Sequence, residues 1–207
     1  MYTICYLIMV SIIKLPKIIA IIGAKRSGKD VIANYICKKL LYKKIAFADP
    51  LKDAVASLFD FSYDQIGYGG IGDEKDIVDD RWGITPRKAL QFFGTEVMQY
   101  KIQELLPGID RKFFAYTLIS KIKSKNDKYV ISDMRFLHEY EELKKIGVFV
   151  IRVDRPSVVE NINLDENVHS SEIEYKNIPY DMHLLNDKGI DEFIENFDIE
   201  LSKIFIE

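Results

Sequence analysis

An unbroken apolar run leads into a glycine-bearing loop near the start of this 207-residue chain, and this junction limits the possible folds more than any other feature. The run KIIAII (17–22) shows no polar/apolar alternation, as in a strand buried on both faces of a parallel sheet. The loop GAKRSGKD (23–30) matches G-x-x-x-x-G-K, and apolar residues recur at helical spacing after it. Strand, glycine loop and helix in this order predict an α/β fold containing a P-loop.

The residue types in this loop suit the binding of nucleotide phosphates. Gly23 and Gly28 allow backbone N–H groups to turn inward around phosphate oxygens, and the following helix adds the positive end of its dipole. Lys29 would bring its charge to the β- and γ-phosphates of ATP. The alternative is a glycine-rich turn that only caps the helix. The predicted ATP-binding residues of the loop are Gly23, Ala24, Lys25, Arg26, Ser27, Gly28, Lys29, Asp30 and Val31.

Two aspartates are candidate ligands of Mg²⁺. Asp30 stands where a P-loop usually has Ser or Thr, and a carboxylate beside a triphosphate repels it unless it serves the metal, directly or through water. The alternative for Asp30 is a purely electrostatic role at the helix N-terminus. Asp133 follows the predicted strand YVIS (129–132), at the strand end where ligands of open α/β sheets bind.

Apolar spacing and turn residues predict the rest of the fold. Asp49 before Pro50, and Thr85 before Pro86, are typical of capped helix starts with proline in the first turn. Asp110 is predicted to cap a later helix, and Gly94 to interrupt the helix that follows Thr85. The other predictions are strands at 45–48, 129–132, 148–153 and near 183–185, helices from about 30, 137 and 191, and a long loop over 60–83. Strands alternating with helices imply a parallel sheet flanked by helices.

Composition excludes several classes of function. The net charge of −3 and pI of about 5.7 lack the basic excess that binding to long nucleic acids demands. Cys5 and Cys37 are the only cysteines, so we expect no disulfide framework and a cytoplasmic protein. The apolar segment 1–13 is too short to span a bilayer and lacks the charged start of a signal peptide. Residues 1–16 are therefore predicted to be an extension, and Met9 is an alternative start.

Several further motifs follow in a fixed order. They are FADPLKD (47–53), TPRKALQFFGTE (85–96), VISDMRF (130–136), RVDRP (152–156), HSSE (169–172) and LLND (184–187). Together with the loop, they resemble the deoxynucleoside monophosphate kinases of large DNA phages and viruses, over most of the chain from Lys17 on. The resemblance implies an α/β P-loop NTPase fold of the nucleoside monophosphate kinase kind, with a parallel sheet flanked by helices. It also implies ATP-dependent phosphorylation of a deoxynucleoside monophosphate, with Mg²⁺ and nucleotides as partners and a homodimer as a possibility.

The resemblance also implies a division of labour along one domain, 17–207. An acceptor-binding insert is expected at about 49–125 and a lid at about 155–180. The acceptor-binding residues would be Asp49, Lys52, Arg87, Gln91 and Thr95, and Asn186 would join the ATP site. The sequence departs from the family pattern at Gln99, Tyr100 and Asn167.

Arginines after strands are the expected partners of the transferring phosphoryl group, whose negative charge must be neutralised. Arg135 follows the strand YVIS, and Arg152 and Arg155 lie at the end of VFVIRV, so these three join Lys29 as predicted catalytic residues. One of Arg152 and Arg155 is expected to be the arginine clamp. His169 is expected to fasten the lid rather than to act as a base, because a phosphate acceptor is already anionic.

Two other functions remain open from the residues alone. A kinase for another phosphorylated metabolite, such as phosphomevalonate, would share GKD and the SDxR turn. A non-catalytic or motor-type ATP-binding module would share the loop, but such modules normally add a larger sheet and further hydrolysis motifs.

Overall fold

A five-stranded parallel sheet organises the fold in the computed structural model, which describes residues 15–68, 74–157 and 174–205. The strands are β1 (Ile18–Ile22), β2 (Lys43–Ile45), β3 (Tyr129–Ile131), β4 (Val148–Asp154) and β5 (Met182–Leu185). Their spatial order is β2-β3-β1-β4-β5, and every pairing is parallel. The helices are α1 (Lys29–Leu40), α2 (Asp49–Phe59), α3 (Pro86–Gln91), α4 (Ile102–Leu105), α5 (Phe113–Lys123), α6 (Leu137–Lys144) and α7 (Ile190–Phe205).

The central strand is β1, as its apolar run predicts. All five of its residues are buried, and Ile19 pairs with Val130 of β3 on one side and Phe149 of β4 on the other. A strand with neighbours on both edges and helices on its faces has no polar face, which explains the absence of alternation. The glycine loop at 23–28 therefore leaves the sheet at its centre.

Helices α1 and α7 supply apolar side chains to the core around β1. α1 contributes Ile32 and Ile36, and α7 contributes Phe193 and Phe197, all essentially inaccessible to solvent. The hydroxyl of Tyr35 in α1 donates to a carboxylate oxygen of α7 at 2.6 Å. This packing fixes the start of α1, and hence the glycine loop, against the sheet.

The chain divides into two compact units, Met1–Ala46 with Ile119–Glu207, and Phe47–Leu118. The first unit contains the sheet. The second contains α2, α3, a π-helical segment (Phe92–Lys101) and α4, and its own apolar cluster includes Val55, Phe61, Ile66 and Ala89. The boundary at 118–119 falls within α5.

Two predicted helix starts differ from those observed, and one is confirmed. Asp49 does not cap α2: the N-cap is Ala48, which offers no side-chain acceptor, and Asp49 is the first helical residue, where its charge suits the helix dipole. Asp110 does not cap α5, which begins only at Phe113. Thr85 caps α3 as predicted, because its Oγ1 accepts from the backbone N–H of Lys88 at 3.2 Å.

Gly94 does not interrupt its helix, contrary to the prediction. Helix α3 continues through it as the π-helical segment, and Gly94 is buried. A Cβ there would lie 2.8 Å from Cδ2 of Leu51 in α2. The glycine therefore permits close packing of the two helices rather than ending one of them.

The second strand lies earlier than the predicted 45–48. It comprises Lys43–Ile45 and pairs with the three residues of β3, and Ala48 and Asp49 already belong to the start of α2. Its two lysines are exposed at the edge of the sheet, where charged residues oppose pairing with another chain.

The predicted long loop is partly structured within the described ranges 60–68 and 74–83. Asp79, almost fully buried, accepts from Nε and Nη2 of Arg81 and from Gln65 Nε2 at 2.8 to 3.0 Å. These hydrogen bonds from Arg81 and Gln65 hold the pKa of Asp79 well below its usual range. Trp82 donates from Nε1 to the carbonyl of Phe59 at 2.9 Å and packs edge-on against that ring.

None of the helices in the described ranges is long and apolar enough to cross a membrane.

Candidate nucleotide-binding site

The backbone of the glycine loop requires glycine at two positions. Gly23 has φ +148°, and a Cβ there would lie 2.2 Å from the carbonyl oxygen of Val153 in β4. Gly28 has φ +109°, and a Cβ there would lie 2.6 Å from Nδ2 of Asn186. The start of the loop therefore lies against β4, and its end lies against the residue that follows β5. A side chain at either glycine would displace the loop.

Between the two glycines the loop combines strain, burial and positive charge. Arg26 has φ +65°, a left-handed conformation that non-glycine residues rarely adopt and that occurs often at ligand-binding sites. Lys25 and Arg26 are exposed, whereas Ala24 and Ser27 are buried. Among the described residues, Ser27 Oγ is buried with no hydrogen-bond partner.

The side chain of Lys29 lies over the loop that precedes it. Its Nζ donates to the carbonyl oxygens of Gly23 at 2.9 Å and Ala24 at 2.6 Å. Lys29 is also the first residue of α1, where the first N–H groups of a helix point toward its start; that of Val31 donates to the carbonyl of the N-cap residue Gly28 at 3.0 Å. An ammonium group and helix N–H donors thus converge on the loop, a combination that binds anions. The loop residues and the start of α1 fit the phosphates of a nucleotide.

Asn186 follows β5 and holds the loop from the other side. Its Nδ2 donates to the carbonyl oxygen of Ser27 at 2.7 Å, and its backbone N–H donates to the carbonyl of Asp154 at 2.8 Å. The structure thus brings this predicted ATP-binding residue to the loop, where it contacts the backbone.

Asp30, in the first turn of α1, is held by two donors on neighbouring strands. Lys44 Nζ of β2 and Ser132 Oγ after β3 both donate to Oδ1 of Asp30, at 2.7 and 3.0 Å. Partial desolvation raises the pKa of Asp30, but the hydrogen bond and charge of Lys44 outweigh it and the net pKa is lowered. The carboxylate is therefore ionised at neutral pH.

These donors leave Asp30 able to serve a cation. Both of them take Oδ1, and within the described chain no hydrogen bond is made to Oδ2. Mg²⁺ binds through one or two carboxylates and keeps several waters, so a single exposed carboxylate oxygen fits it. No group of three or more His, Cys, Asp or Glu side chains that could hold a metal occurs among the described residues.

Asp133 and Arg135 lie in the turn that joins β3 to α6. Asp133 is half-buried and Arg135 is exposed. The turn is tied by Glu139 of α6, whose Oε2 accepts from the backbone N–H groups of Arg135 at 2.8 Å and Phe136 at 3.1 Å. Burial raises the pKa of Glu139 to about 8, the Arg135 hydrogen bond opposes the rise, and the charge of Asp133 adds to it.

The two predicted clamp arginines occupy different surroundings. Arg152 donates from Nε to Asp154 Oδ2 at 2.9 Å, and its guanidinium lies 5.8 and 5.5 Å from the ring centroids of Tyr175 and Tyr180. Arg155 follows the strand and is exposed. Arg152 is therefore part of the packing at the end of β4, whereas Arg155 faces solvent.

The predicted acceptor residues all lie in the unit Phe47–Leu118. In α2, Lys52 Nζ lies 4.5 Å from the ring centroid of Tyr68, and the Tyr68 hydroxyl lies 3.3 Å from Asp49 Oδ1 and 3.2 Å from Asp53 Oδ1. Desolvation, followed by the charges of the two aspartates, raises the pKa of Tyr68. Lys52 and Asp49 thus form one cluster around this tyrosine.

The other acceptor residues lie on α3 and the segment that continues it. Arg87 forms a bidentate ion pair with Asp76, through Nε at 2.5 Å and Nη2 at 2.8 Å. Gln91 is exposed and Thr95 is half-buried.

The central part of the predicted lid lies outside the described residues. This range, 158–173, includes His169, Glu172 and the departure at Asn167.

Sequence reasoning missed several residues that organise the site. Lys44 carries no motif and meets Asp30 only because β2 lies beside β3 in the sheet. Ser132 stands inside the VISDMRF motif, which gives no sign of its hydrogen bond to Asp30. Glu139 is an acidic residue in the first turn of α6 that accepts from the backbone N–H of the N-cap residue Phe136, a capping arrangement that its position could have indicated. Asp76, in a short 3₁₀ helix, carries no local sign of its partner.

The loop between a central parallel strand and a helix, with a lysine ammonium folded over it, defines a P-loop nucleotide-binding protein. Comparison with known sequences narrows this class. The chain belongs to the deoxynucleotide monophosphate kinase family, whose model matches residues 17–76 and 62–197, and it is therefore a phosphotransferase that uses a nucleotide.

A viral relative agrees with the family match. The chain is 36% identical over 183 residues to a protein of Acanthamoeba polyphaga mimivirus that is provisionally named a deoxynucleotide monophosphate kinase, covering 85% of this chain and 91% of the relative.

Solved structures are similar only at low identity. They include a shikimate kinase from Aquifex aeolicus (15% identity, 90% and 97% of the two chains, TM-score 0.45) and a dephospho-CoA kinase from Campylobacter jejuni (12%, 92% and 98%, TM-score 0.47). The family assignment rests on the sequence comparisons.

Proposed function

We propose that this protein transfers the γ-phosphoryl group of ATP to the 5′-phosphate of a deoxynucleoside monophosphate. The observation that carries the proposal is the family match, which extends over nearly the whole described chain. The substrate named for the viral relative is of the same chemical class. A metabolite kinase or a non-catalytic module is not favoured, because the match includes the TPRKALQFFGTE segment as well as the loop.

On the donor side, the loop and α1 hold the phosphates of ATP. Lys29 exchanges its contacts with the carbonyls of Gly23 and Ala24 for phosphate oxygens, and the first-turn N–H groups of α1 donate to the same anion. Because these donors are fixed before the reaction, they stabilise the charge of the transition state without reorganising. Arg135 and Arg155, both exposed, supply further positive charge to the transferring group.

A bound Mg²⁺ would be held by Asp30, through Oδ2 or an intervening water, and by Asp133 or its waters. The metal would neutralise phosphate charge and orient the γ-phosphoryl group. The hydrogen bonds from Lys44 and Ser132 to Oδ1 keep the Asp30 carboxylate ionised and fix its orientation.

On the acceptor side, Arg87 and Lys52 bind the acceptor phosphate, while Gln91 and Thr95 contact the nucleoside. Because the attacking oxygen belongs to a phosphate that is already anionic, the reaction needs positioning and charge neutralisation rather than a strong base. We propose further that 17–207 works as one kinase domain in the cytoplasm, with an acceptor insert at about 49–125 and a lid at about 155–180 that excludes water.

The test is a coupled ATP assay over the four deoxynucleoside monophosphates, their ribose counterparts and phosphomevalonate. We expect turnover of at least one deoxynucleoside monophosphate and none of phosphomevalonate. Turnover of phosphomevalonate without any nucleotide would overturn the proposal.

A paired variant tests the acceptor side. Arg87→Ala should raise the acceptor KM roughly 10-fold or more, as expected when a charge-assisted phosphate contact is lost, and leave the ATP KM within about two-fold. Lys88→Ala is the matched control, because Lys88 is the next residue of α3 and is exposed. Equal effects on both substrates, or equal effects of the two variants, would contradict the role of Arg87.

A further inference from the structure

Arg87, which the proposed function assigns to the acceptor phosphate, is paired with an acidic side chain of the protein itself. Asp76, in the short 3₁₀ helix Glu74–Asp76, contacts Arg87 through two parallel N–H···O bonds of 2.5 and 2.8 Å. Arginine binds carboxylates and phosphates with the same fork geometry. The Asp76 carboxylate therefore presents to Arg87 the pair of oxygens that a phosphate would present.

The surroundings of this ion pair make it exchangeable. The Asp76 side chain is 67% exposed and that of Arg87 is 35% exposed, so solvent screens the attraction and little is lost when the two separate.

The pair Arg81–Asp79 in the same unit is also bidentate, but its carboxylate is buried rather than exposed. Asp79 is only 6% exposed and accepts from both Arg81 and Gln65. That pair is built into the packing of the loop, whereas the Asp76–Arg87 pair lies at the surface of α3.

We propose that Asp76 is an intramolecular competitor for the acceptor phosphate and thereby sets the affinity of the proposed acceptor site. This inference rests on the proposed role of Arg87. A phosphate monoester carries a charge of about −1.5 to −2 at pH 7 and displaces the singly charged carboxylate, whereas a nucleoside without phosphate offers nothing in exchange.

The consequence is an unusual direction of effect on substitution. Asp76→Asn keeps the size of the side chain but removes its charge, so the acceptor phosphate no longer competes with the Asp76 carboxylate for the guanidinium. We expect the acceptor KM to fall about two- to five-fold, the range set by a solvent-exposed ion pair. The ATP KM and kcat should stay within about 1.5-fold. A purely structural role for Asp76 predicts the opposite sign, because loosening Arg87 would raise the acceptor KM.

The experiment compares steady-state kinetics of the full chain, Asp76→Asn, Arg87→Ala and the double variant, using the best deoxynucleoside monophosphate from the substrate panel. Glu74→Gln is the matched control, because it removes a negative charge from the same 3₁₀ helix at an exposed position. Calorimetric binding of the same monophosphate to each variant gives a second readout, and thermal unfolding verifies that each variant folds.

Support requires that Asp76→Asn lower the acceptor KM and Kd, that Glu74→Gln change neither beyond about 1.5-fold, and that the gain vanish when Arg87 is also replaced. An acceptor KM that stays constant or rises in Asp76→Asn, while Arg87→Ala still raises it, would overturn the competitor role and leave the proposed function intact. A gain that persists without Arg87 would also overturn it. If no nucleoside monophosphate is phosphorylated by any variant, the proposed function itself fails, and the competitor role with it.

Discussion

Replacing Gly23 by alanine should both destabilise the fold and impair ATP binding. The new Cβ would lie 2.2 Å from the carbonyl oxygen of Val153 and 2.9 Å from Ser27 Oγ, at a φ of +148°. The first contact is with the backbone of β4, which pairs with all five residues of β1. No rotation of a side chain can therefore relieve this contact.

The magnitude follows from two additive costs. Forcing a side chain into this backbone region costs about 1–3 kcal/mol, and overpacking against a fixed backbone costs about 1–3 kcal/mol more. The sum, roughly 2–6 kcal/mol, is a large part of the 5–15 kcal/mol that stabilises a typical domain. At about 2–4 °C per kcal/mol for a chain of this size, the unfolding midpoint should fall by roughly 5–20 °C.

The assay is thermal unfolding with and without ATP, together with calorimetric measurement of ATP affinity. Gly189→Ala is the control, because Gly189 has no positive φ and, among the described residues other than its chain neighbours, no atom lies within 4 Å of its Cβ position, so its midpoint should change by less than about 2 °C. We expect the ATP-induced rise in midpoint to shrink in Gly23→Ala, since the loop must move away from β4. An unchanged midpoint and an ATP affinity within two-fold of the parent would refute the account of the loop.

Three further predictions concern charged side chains. Lys29→Met should lower kcat by about 10²-fold or more while Lys38→Met, on the exposed face of the same helix, leaves it unchanged in the ATP assay; equal losses would refute the role of Lys29. Arg155→Ala should lower kcat with little change in the calorimetric Kd for ATP. Arg152→Ala should mainly lower the unfolding midpoint, because it removes the contacts of the guanidinium with two tyrosine rings. The reverse pattern would make Arg152 the arginine clamp. The pKa of Glu139 is raised from 4.5 to about 8 in the folded state, so between these pH values the folded protein binds a proton that the unfolded chain has lost. The free energy of unfolding should therefore fall as pH rises from about 4.5 to 8 and level off above. Urea unfolding across this range should show a slope of up to about 1.4 kcal/mol per pH unit, and Glu139→Gln should remove it; an unchanged slope in that variant would show that other groups cause it.

What the sequence could predict was local in origin. The strand β1, the loop at 23–30 and the Thr85 cap each depend on residues a few positions apart, and each is found where the pattern placed it. The failure at Gly94 comes from tertiary packing, because Gly94 lies against Leu51 instead of ending a helix. The start of α2 differs by one residue, since Ala48 is the N-cap and Asp49, the predicted cap, is already helical.

The partners of the predicted site residues could not be derived in the same way. Lys44 reaches Asp30 because β2 and β3 are neighbours in the sheet, and Asp76 reaches Arg87 across a loop of no regular pattern. Such contacts depend on where distant segments meet, which single-sequence periodicity does not encode. The prediction of the acceptor-binding residues depends instead on the order of short motifs along the chain.

The central position of β1 has a consequence for synthesis of the protein. Its partners β3 and β4 begin at Tyr129 and Val148, so more than 100 residues separate the strand from either neighbour. At translation rates of about 5–20 residues per second, the ribosome exposes this wholly apolar strand for roughly 5–20 s before β3 can pair with it. During this interval the strand is open to association with other nascent chains, and the residues 47–118, which have an apolar cluster of their own, are made before β3 appears. The protein is therefore expected to depend on chaperones or low temperature when it is produced at high concentration.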